Sequence, residues 1–424
     1  MAIAVRAGEQ TRQVQMVCLD ELVADDDVLR RVERLVAWGA VRESAAPFYS
    51  DFGRPGVDPV VLVKVFLVAA IRGIGSMRET LRIAQVDLSI RRFLGYGLTE
   101  ALPHHATFSY AQCVRFAQSS VFEQLFTQVL ASCRDAGLLD GSRLVVDATH
   151  VEADAALKSL RGELQAIDGD GGGAGAGAGA GAGEDGEPAE RPVLRLAAPR
   201  SGPTPKRKAS NATAVSRTDP DAKLRYKPGH RPHLVYRAQV ATDPKARVIV
   251  AVLAEPATGH EADSLPIIID RSKWLRHKVA EIVADAGYAS DAVYTDLAQR
   301  RIEAFIPPQP NMLKRGGAQA ARKRCRSPRG RDAAIDRITH GEGAISELKR
   351  HGADRARCRG TTKLQIQLLL AATAINLKRL TTHRPAAENA GASDNTAARA
   401  QLAILNACLR ALAADAATTS TTGS

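Results

Sequence analysis

The chain has 424 residues, 45% apolar and only 4% aromatic, and its 58 Lys and Arg exceed its 46 Asp and Glu to give a net charge of +12. This length predicts two or three domains, each able to bury a core. The positive balance favours a polyanionic partner, although net charge also serves solubility. The six cysteines form no C-x-x-C pair, which argues against a zinc site or disulfide scaffold and suits a reducing compartment.

The sequence shows no membrane or secretion signal. The opening segment MAIAVRAGEQTRQ lacks the apolar stretch of a signal peptide. The most apolar run, Val60–Ile71, is interrupted by Lys64 and is too short to span a bilayer. We therefore expect a cytoplasmic protein.

The first third of the chain has the periodicity of helices. Leu19–Trp38 has apolar residues at three- and four-residue spacing, and Asp58 with Pro59 begins a second, strongly apolar helix. Ser76 is a good cap for a third helix, and another helical run spans roughly residues 108–136. This pattern predicts an all-α N-terminal domain over residues 1–137.

Arginines occur on the predicted polar faces of these helices. One interpretation is a solvated helical surface, and the other is a helix-turn-helix-like contact with DNA. The sequence leaves both interpretations open. The residues concerned are Arg72, Arg78, Arg82, Arg91 and Arg92.

Two segments have the composition of flexible chain. Between about residues 160 and 230 the sequence is rich in Gly, Ala, Pro, Ser and Lys, with GGGAGAGAGAGAG at 171–183. Such a segment buries too little surface to offset the entropy of ordering, so we expect a flexible insertion. Residues 384–424 form a C-terminal tail in which some helix is expected.

Residues 138–383 alternate strands with helices, apart from the insertion. The predicted order is strand, strand, strand, helix, strand, helix, strand, helix, helix, with the insertion after the first strand. This order indicates an α/β RNase H-like domain, a mixed five-stranded sheet with flanking helices. In that fold the first and fourth strands are neighbours, which would bring Asp147 and Asp285 together at adjacent strand ends.

Two adjacent aspartates point to a metal site. Their charges repel each other unless a cation lies between them. Hard oxygen ligands without histidine or thiolate favour Mg²⁺ or Mn²⁺. Two such ions about 4 Å apart activate a nucleophile and stabilise the leaving oxygen of a phosphodiester. A third carboxylate is then expected from the late helix, where the candidates are Glu342 and Glu347.

Helical geometry distinguishes these two glutamates. Glu342 and Lys349 are seven residues apart and share one face, whereas Glu347 points about 140° away from Glu342. The spacing predicts a metal ligand at Glu342 with a phosphate-binding Lys349 beside it. Glu347 is expected to pair on the other side with Arg350 or His351. A solvated helix with routine charges remains the alternative.

Several segments resemble, in the same order, the motifs of bacterial insertion-sequence DDE transposases of the insertion-sequence-four and -five group. They are LVVDATHVEADAALKSL, SRTDPDAKLRYKPGH, VADAGYAS, FIPPQP and HGADRARCRGTTKLQIQLLLAATAINLKRL. Upstream, VCLDELVADDDVLRRV, FYSDFGRPGVDPVVLVKVFLV, RRFLGYGL and LPHHATFSY resemble the N-terminal helical domain of that group. The resemblance spans most of residues 16–380.

The resemblance implies a catalytic triad of Asp147, Asp285 and Glu342 that holds two Mg²⁺ ions, with Mn²⁺ as a substitute. Glu342 and Lys349 fit the E-x₆-K pattern of the family. An arginine usually stands four residues before the glutamate. Here Ile338 occupies that position, and Arg337 lies one residue further away.

Basic residues near this helix are candidates for DNA contact. Arg355, Arg357 and Arg359 occupy alternate positions in RARCRG. Residues 314–331 contain eight basic residues and no acidic one. Next to a phosphodiester site these charges favour contact with the DNA backbone, together with Lys349 and Arg337. Ordinary solvated charge is the alternative explanation.

The resemblance implies a transposase. Such a protein binds the terminal inverted repeats of its element, cleaves there with Mg²⁺ and transfers the 3′-OH into target DNA. Its partners would be double-stranded DNA, both element ends and target, and a second copy of itself in a synaptic homodimer, associated with the nucleoid. Two alternatives are an inactive DNA-binding remnant of a transposase and a stand-alone nuclease of the same fold.

Overall fold

The computed structural model describes residues 16–50, 52–53, 56–161, 215–225, 232–272, 279–312 and 316–383. The helices are α1 (Leu19–Leu22), α2 (Val28–Leu35), α3 (Trp38–Ala45), α4 (Pro59–Arg72), α5 (Met77–Val86), α6 (Leu88–Leu94), α7 (His105–Tyr110), α8 (Val121–Asp135), α9 (Leu265–Ser272), α10 (Asp291–Gln299), α11 (Gly316–Arg326), α12 (Pro328–Asp336), α13 (Gly343–Leu348) and α14 (Thr361–Thr382). The strands are β1 (Arg143–Glu152), β2 (Leu160–Arg161), β3 (Val215–Ser216), β4 (Lys223–Arg225), β5 (His233–Asp243), β6 (Val248–Pro256), β7 (Glu281–Val283) and β8 (Glu303–Phe305). Most of the predicted insertion and the predicted tail lie outside the described residues.

Helix α4 is the centre of the N-terminal helical region. It begins at Asp58, whose carboxylate accepts a hydrogen bond from the Val60 amide at 2.8 Å, and it ends at Gly73 with φ 68°. Its charged residue Lys64 is buried, and the ammonium donates to Glu33 Oε1 at 2.9 Å. This ion pair offsets the cost of burying the charge in an otherwise apolar helix.

The predicted helical run over residues 108–136 is broken in the structure. Helix α7 ends at Tyr110, a π-helical turn spans Ala111–Arg115, and α8 begins only at Val121. In one continuous helix Phe116 and Phe122 would point about 120° apart. The break lets both rings enter the core, where their centroids are 6.1 Å apart.

Arg91 does not lie on a polar face, contrary to the prediction. Only 3% of the residue is exposed, and its guanidinium donates to the carbonyls of Gly97 at 2.8 Å and Glu100 at 2.6 Å. Arg92 is also engaged, because it pairs with Glu33 at 2.9 Å. These two arginines therefore stabilise the helical region itself.

The sheet is mixed and follows the predicted order of elements. Strand β1 lies between antiparallel β5 and parallel β7, and β8 continues the parallel side. Strands β4 and β6 pair successive parts of the other edge of β5, so the sheet has six strands instead of five. The first and fourth strands of the predicted order, which were expected to be neighbours, are β1 and β7, and they pair in parallel.

Four helices follow β8 where the sequence predicted a basic stretch and two helices. The basic stretch itself forms α11 and α12. The predicted helix that carries Glu342 is divided into a π-helical turn over Arg337–Glu342, the short α13, and a second π-helical turn over Lys349–Ala353. Wide turns of this kind often occur at functional sites.

Helix α14 joins the helical region to the sheet. It packs against β6 on one side and against α8 and α4 on the other. Asn376 is buried and fixes the sheet side, because its Nδ2 donates to the Ile249 carbonyl at 2.8 Å and its Oδ1 accepts from the Ile249 amide at 3.0 Å. One continuous apolar cluster extends from Leu29 to Leu380.

In the part of the chain that the structure describes, no single helix is long and apolar enough to cross a membrane, and only α4 and α5 together, bent by 95°, meet that criterion by length and composition.

Candidate active site

The structure brings Asp147 and Asp285 to neighbouring strands. Asp285 follows the end of β7, as predicted, but Asp147 lies in the middle of β1, because that strand continues to Glu152 in its pairing with β5. Val145 of β1 lies opposite Val283 of parallel β7, and each aspartate follows two residues later. Asp147 Oδ1 accepts from the Ala148 amide at 2.8 Å, and Asp285 Oδ1 accepts from the Gly287 amide at 2.8 Å. Both carboxylates are thus oriented by backbone donors at the same edge of the sheet.

Asp147 is half-buried, and its environment disfavours the charged form. Burial raises the pKa of Asp147, and repulsion from Asp285 and Glu342 raises it further. The Ala148 amide and the Arg337 guanidinium oppose this rise. Asp285 and Glu342 therefore both lie within electrostatic reach of Asp147.

Glu342 is carried to Asp147 by the π-helical turn that crosses β1. At Gly341 an added Cβ would lie 3.1 Å from Val145 Cγ1 and 3.4 Å from Asp147 Oδ2. Glycine at this position therefore allows the turn to approach the strand closely. The Glu342 side chain is 60% exposed, so it borders the solvent side of the aspartate pair.

The π-helical turn also accounts for the position of Arg337. Its Nη1 lies 3.9 Å from Glu342 Oε1, although the two residues are five positions apart. A π-helical turn connects residues i and i+5, where an α-helix connects i and i+4. Arg337 is therefore the arginine beside Glu342, and Ile338, at the position where the family has an arginine, is exposed.

Glu347 points away from the triad, as predicted, but its partners differ from those predicted. It pairs with Arg379 of α14 and lies 3.7 Å from Arg247. The prediction of Arg350 or His351 was wrong because α13 packs against α14, and His351 Nδ1 instead bonds the Ala70 carbonyl at 2.7 Å.

The charge of Lys349 acts on His150, which lies three residues after Asp147 in β1. Burial lowers the pKa of His150 to about 4, and the positive charges of Arg225, Arg237 and Lys349 lower it further. The ammonium of Lys349 therefore lies within electrostatic reach of β1. The shared helical face of Glu342 and Lys349 stays a prediction.

Comparison with known families decides the identity of the chain. A family model described as "Transposase DDE domain" matches residues 138–377, and one described as "Transposase domain (DUF772)" matches residues 17–112. The chain belongs to the DDE transposase family. The predicted membership is thus confirmed, while the assignment to the insertion-sequence-four and -five group stays a prediction.

Other comparisons add little to this family assignment. A solved structure, the cryo-EM structure of a piggyBac transposase synaptic complex with hairpin DNA, shares 9% identity with this transposase, covers 87% of each chain and has a TM-score of 0.27. A likeness at that level carries no argument. No curated protein matches the chain.

The three arginines of RARCRG have different environments in this transposase. Arg355 and Arg359 are exposed beside Asp154, and Arg359 Nε donates to the Asp154 carbonyl at 2.9 Å. Arg357 is largely buried, and its guanidinium donates to the Ile74 carbonyl at 2.8 Å. Arg357 therefore ties this loop to the turn between α4 and α5.

The basic run is divided between internal pairs and free surface. Arg324 donates to the Ala304 carbonyl at 3.1 Å, and Arg329 pairs with Glu281 and with Glu303, the latter at 2.9 Å. The remaining basic side chains that are exposed and have no ion-pair partner within the described ranges are Arg322, Lys323, Arg326 and Arg331. Lys314 and Arg315 lie outside those ranges.

Sequence reasoning missed Glu261, a further carboxylate near the triad. It is the first residue of a 3₁₀ turn that follows β6, within the segment HEADS. Burial raises the pKa of Glu261, and Asp285 and Asp147 raise it further. The signal available in the sequence was an acidic residue soon after a predicted strand, but nothing local to it indicates Asp285 as a neighbour.

The donor set fits a hard divalent cation. The side chains around Asp147 and Asp285 are carboxylates, which suit Mg²⁺ and Mn²⁺ better than softer metals. Among the described residues no three His, Cys, Asp or Glu side chains are already arranged as a metal-binding group. The carboxylates therefore share one region without closing around one point.

Two other residues named by the sequence have structural roles. The Tyr288 side chain is fully buried and donates to Gln239 Oε1. His260 caps the turn that carries Glu261, where Asp263 Oδ2 accepts from the His260 amide at 3.3 Å.

Proposed function

We propose that this transposase binds the terminal inverted repeats of an insertion sequence, cleaves the DNA there and transfers the 3′-OH into target DNA. The convergence of Asp147, Asp285 and Glu342 at one sheet edge carries the proposal. An RNase H-like arrangement is part of it, since the central sheet has β1 flanked by antiparallel β5 and parallel β7.

Asp147, Asp285 and Glu342 would hold two Mg²⁺ ions, for which Mn²⁺ could substitute. When bound, such ions supply activation of a water or hydroxyl and stabilisation of the leaving oxygen. The protein's own contribution is to orient the ligands. The Ala148 and Gly287 amides hold the two aspartates, and Arg337 lies beside Glu342.

Basic side chains near the carboxylates are proposed to bind the phosphate groups of DNA. Lys349 follows Glu342 in sequence and its charge acts on His150 of β1, and Arg355 and Arg359 are exposed beyond the end of β1, near Asp154. Each contact would neutralise one phosphate and make binding dependent on salt. Arg357 is assigned a supporting role here, because its guanidinium binds the Ile74 carbonyl.

Helices α4 and α5 are proposed to read the element ends. They meet at 95° across a four-residue turn from Gly73 to Ser76, within the range of about 90–120° typical of helix-turn-helix units. Helix α5 exposes Arg78, Arg82 and Gln85 on one face. Such side chains suit phosphate oxygens and the edges of bases in the major groove.

The proposal also includes a homodimer, because two element ends must be held together for transposition. Its place would be the cytoplasm, on the nucleoid when bound to DNA. The charge of +12 favours association with a polyanion of that kind.

The deciding experiment incubates purified protein with labelled element ends and Mg²⁺, and compares wild type with Asp147→Ala. We expect nicks at the ends, and joined products with added target DNA, from wild type alone. Binding without any Mg²⁺-dependent nicking would indicate an inactive remnant. Cutting without joining and without preference for the repeats would indicate a stand-alone nuclease.

A further inference from the structure

We infer that Glu261 is a fourth carboxylate of the site and contributes an oxygen ligand on the side of Asp285. The inference rests on the proposed function, because it takes the site to bind a divalent cation. It assigns a role to a residue outside the D, D and E positions of the family pattern.

Glu261 is held on a well-supported turn. Arg237 donates to the Thr258 carbonyl and to the Gly259 carbonyl at 3.4 Å, which fixes the chain between β6 and the turn. His260 then caps the 3₁₀ turn Glu261–Ser264, and α9 follows directly. The Glu261 backbone is therefore anchored to the sheet, as the position of a metal ligand requires.

The distances from a Cβ built at Gly287 show how close the Glu261 carboxylate lies to that of Asp285. A Cβ added at Gly287 would lie 2.6 Å from Glu261 Oε2 and 3.0 Å from Asp285 Oδ1. The two carboxylate oxygens thus border the same small volume, and their separation cannot exceed these two lengths together. The φ of Gly287 is not positive, so glycine is needed here for space and not for backbone freedom.

Glu261 has no hydrogen bond or ion pair with any described residue, although it is half-buried. The guanidinium of Arg237, whose charge acts on Glu261, forms its ion pair with Glu255 at 2.6 Å. Two carboxylates that approach each other without a cation between them repel. A bound divalent ion would remove that repulsion.

Neighbouring acidic residues do not share this state. Glu255 is satisfied by Arg237, by Gln239 at 3.0 Å and by Ser264. Glu281 pairs with Arg143 at 2.6 Å and with Arg329. Glu255 and Glu281 therefore have their charges compensated by protein partners. The charge of Glu261, like those of the two aspartates, would be compensated by a bound cation.

The test measures Mn²⁺ binding to the full-length protein by electron paramagnetic resonance, without DNA. The variant is Glu261→Gln, which keeps the shape and removes the charge. The matched control is Glu152→Gln, an exposed carboxylate at the end of β1, and Asp147→Asn reports on the aspartate site itself. We expect Glu261→Gln to weaken binding about tenfold or more, with Glu152→Gln unchanged.

The outcomes separate the two proposals. If Asp147→Asn loses Mn²⁺ while Glu261→Gln binds like wild type, the role of Glu261 is wrong and the proposed function stands. If wild type itself does not bind Mn²⁺, both fail. A melting temperature of Glu261→Gln that is unchanged or raised without metal supports the assignment, because a merely structural glutamate would lower it on removal.

Discussion

Arg337 and Glu342 pair across a π-helical turn, with 3.9 Å between Nη1 and Oε1. In an α-helix residues five positions apart would point about 140° from each other. The wider turn therefore aligns an arginine that the sequence places one residue too far away. The same π-helical turn packs Gly341 closely against β1, and the next residue, Glu342, therefore lies near Asp147.

Glu342→Gln tests the third carboxylate. We expect end cleavage to fall by about a hundredfold or more, because one anionic ligand is lost, while binding to the element ends is retained. Cleavage of labelled ends and a gel-shift assay on the same samples measure the two effects. Ser346→Ala, an exposed position on α13, is the control. Cleavage by Glu342→Gln at the wild-type rate would place the third ligand elsewhere.

Gly341→Ala tests the close approach of the π-helical turn to β1. The added methyl would meet Val145 and Asp147, so we expect the free energy of unfolding to drop by about 1–3 kcal/mol. Gly39→Ala in α3 is the matched control, since nothing lies within 4 Å of its added Cβ. There the change should stabilise by about 0.5–1 kcal/mol. Urea denaturation measures both, and equal effects of the two changes would contradict the predicted packing.

Asp147→Asn should stabilise the metal-free protein. Burial, with repulsion from Asp285 and Glu342, raises the pKa of Asp147 in the folded state. The folded protein therefore binds this proton more tightly than the unfolded chain, and stability falls as pH rises through the unfolded and then the folded pKa. At pH 7.5 in a chelator we expect the melting temperature of the variant to exceed that of wild type by about 2 °C or more.

The melting temperatures of wild type and Asp147→Asn should also be measured with Mg²⁺ present. Added Mg²⁺ should raise the melting temperature of wild type, because a ligand that binds the folded state stabilises it, and should leave Asp147→Asn nearly unchanged. A variant less stable than wild type in chelator would contradict the repulsion at this site.

Arg357→Gln should lower stability, whereas Arg355→Gln should weaken DNA binding. Arg357 donates to the Ile74 carbonyl from a largely buried position, so its loss should cost about 1–3 kcal/mol of unfolding free energy. Arg355 is 61% exposed, so its loss should leave stability unchanged and weaken DNA binding, with a salt slope smaller by about 1. Denaturation and salt-dependent binding titrations measure these effects. Equal loss of stability in both variants would contradict the distinction.

Strands and helices that depend on a local pattern of apolar residues could be predicted from the sequence. The apolar run before Asp147 and the one before Asp285 define two strands, and their order along the chain makes them neighbours. Periodicity could not identify Arg91 as buried, because its partners are carbonyls of the loop after α6. Glu261 was missed for a related reason, since its proposed role depends on its proximity to Gly287 and Asp285, which are distant in sequence.

Helix α14 buries one face on the sheet and another on α4 and α8, and a single apolar cluster includes them all. The surface proposed to read DNA and the carboxylates proposed to cut it cannot change their separation without exposing that cluster to water. The two proposals together therefore require a fixed number of base pairs between the sequence that is bound and the bond that is cleaved. Inserting one base pair between them, about 3.4 Å, should reduce cleavage more than changing a base there, as end-cleavage assays on the two substrates would show.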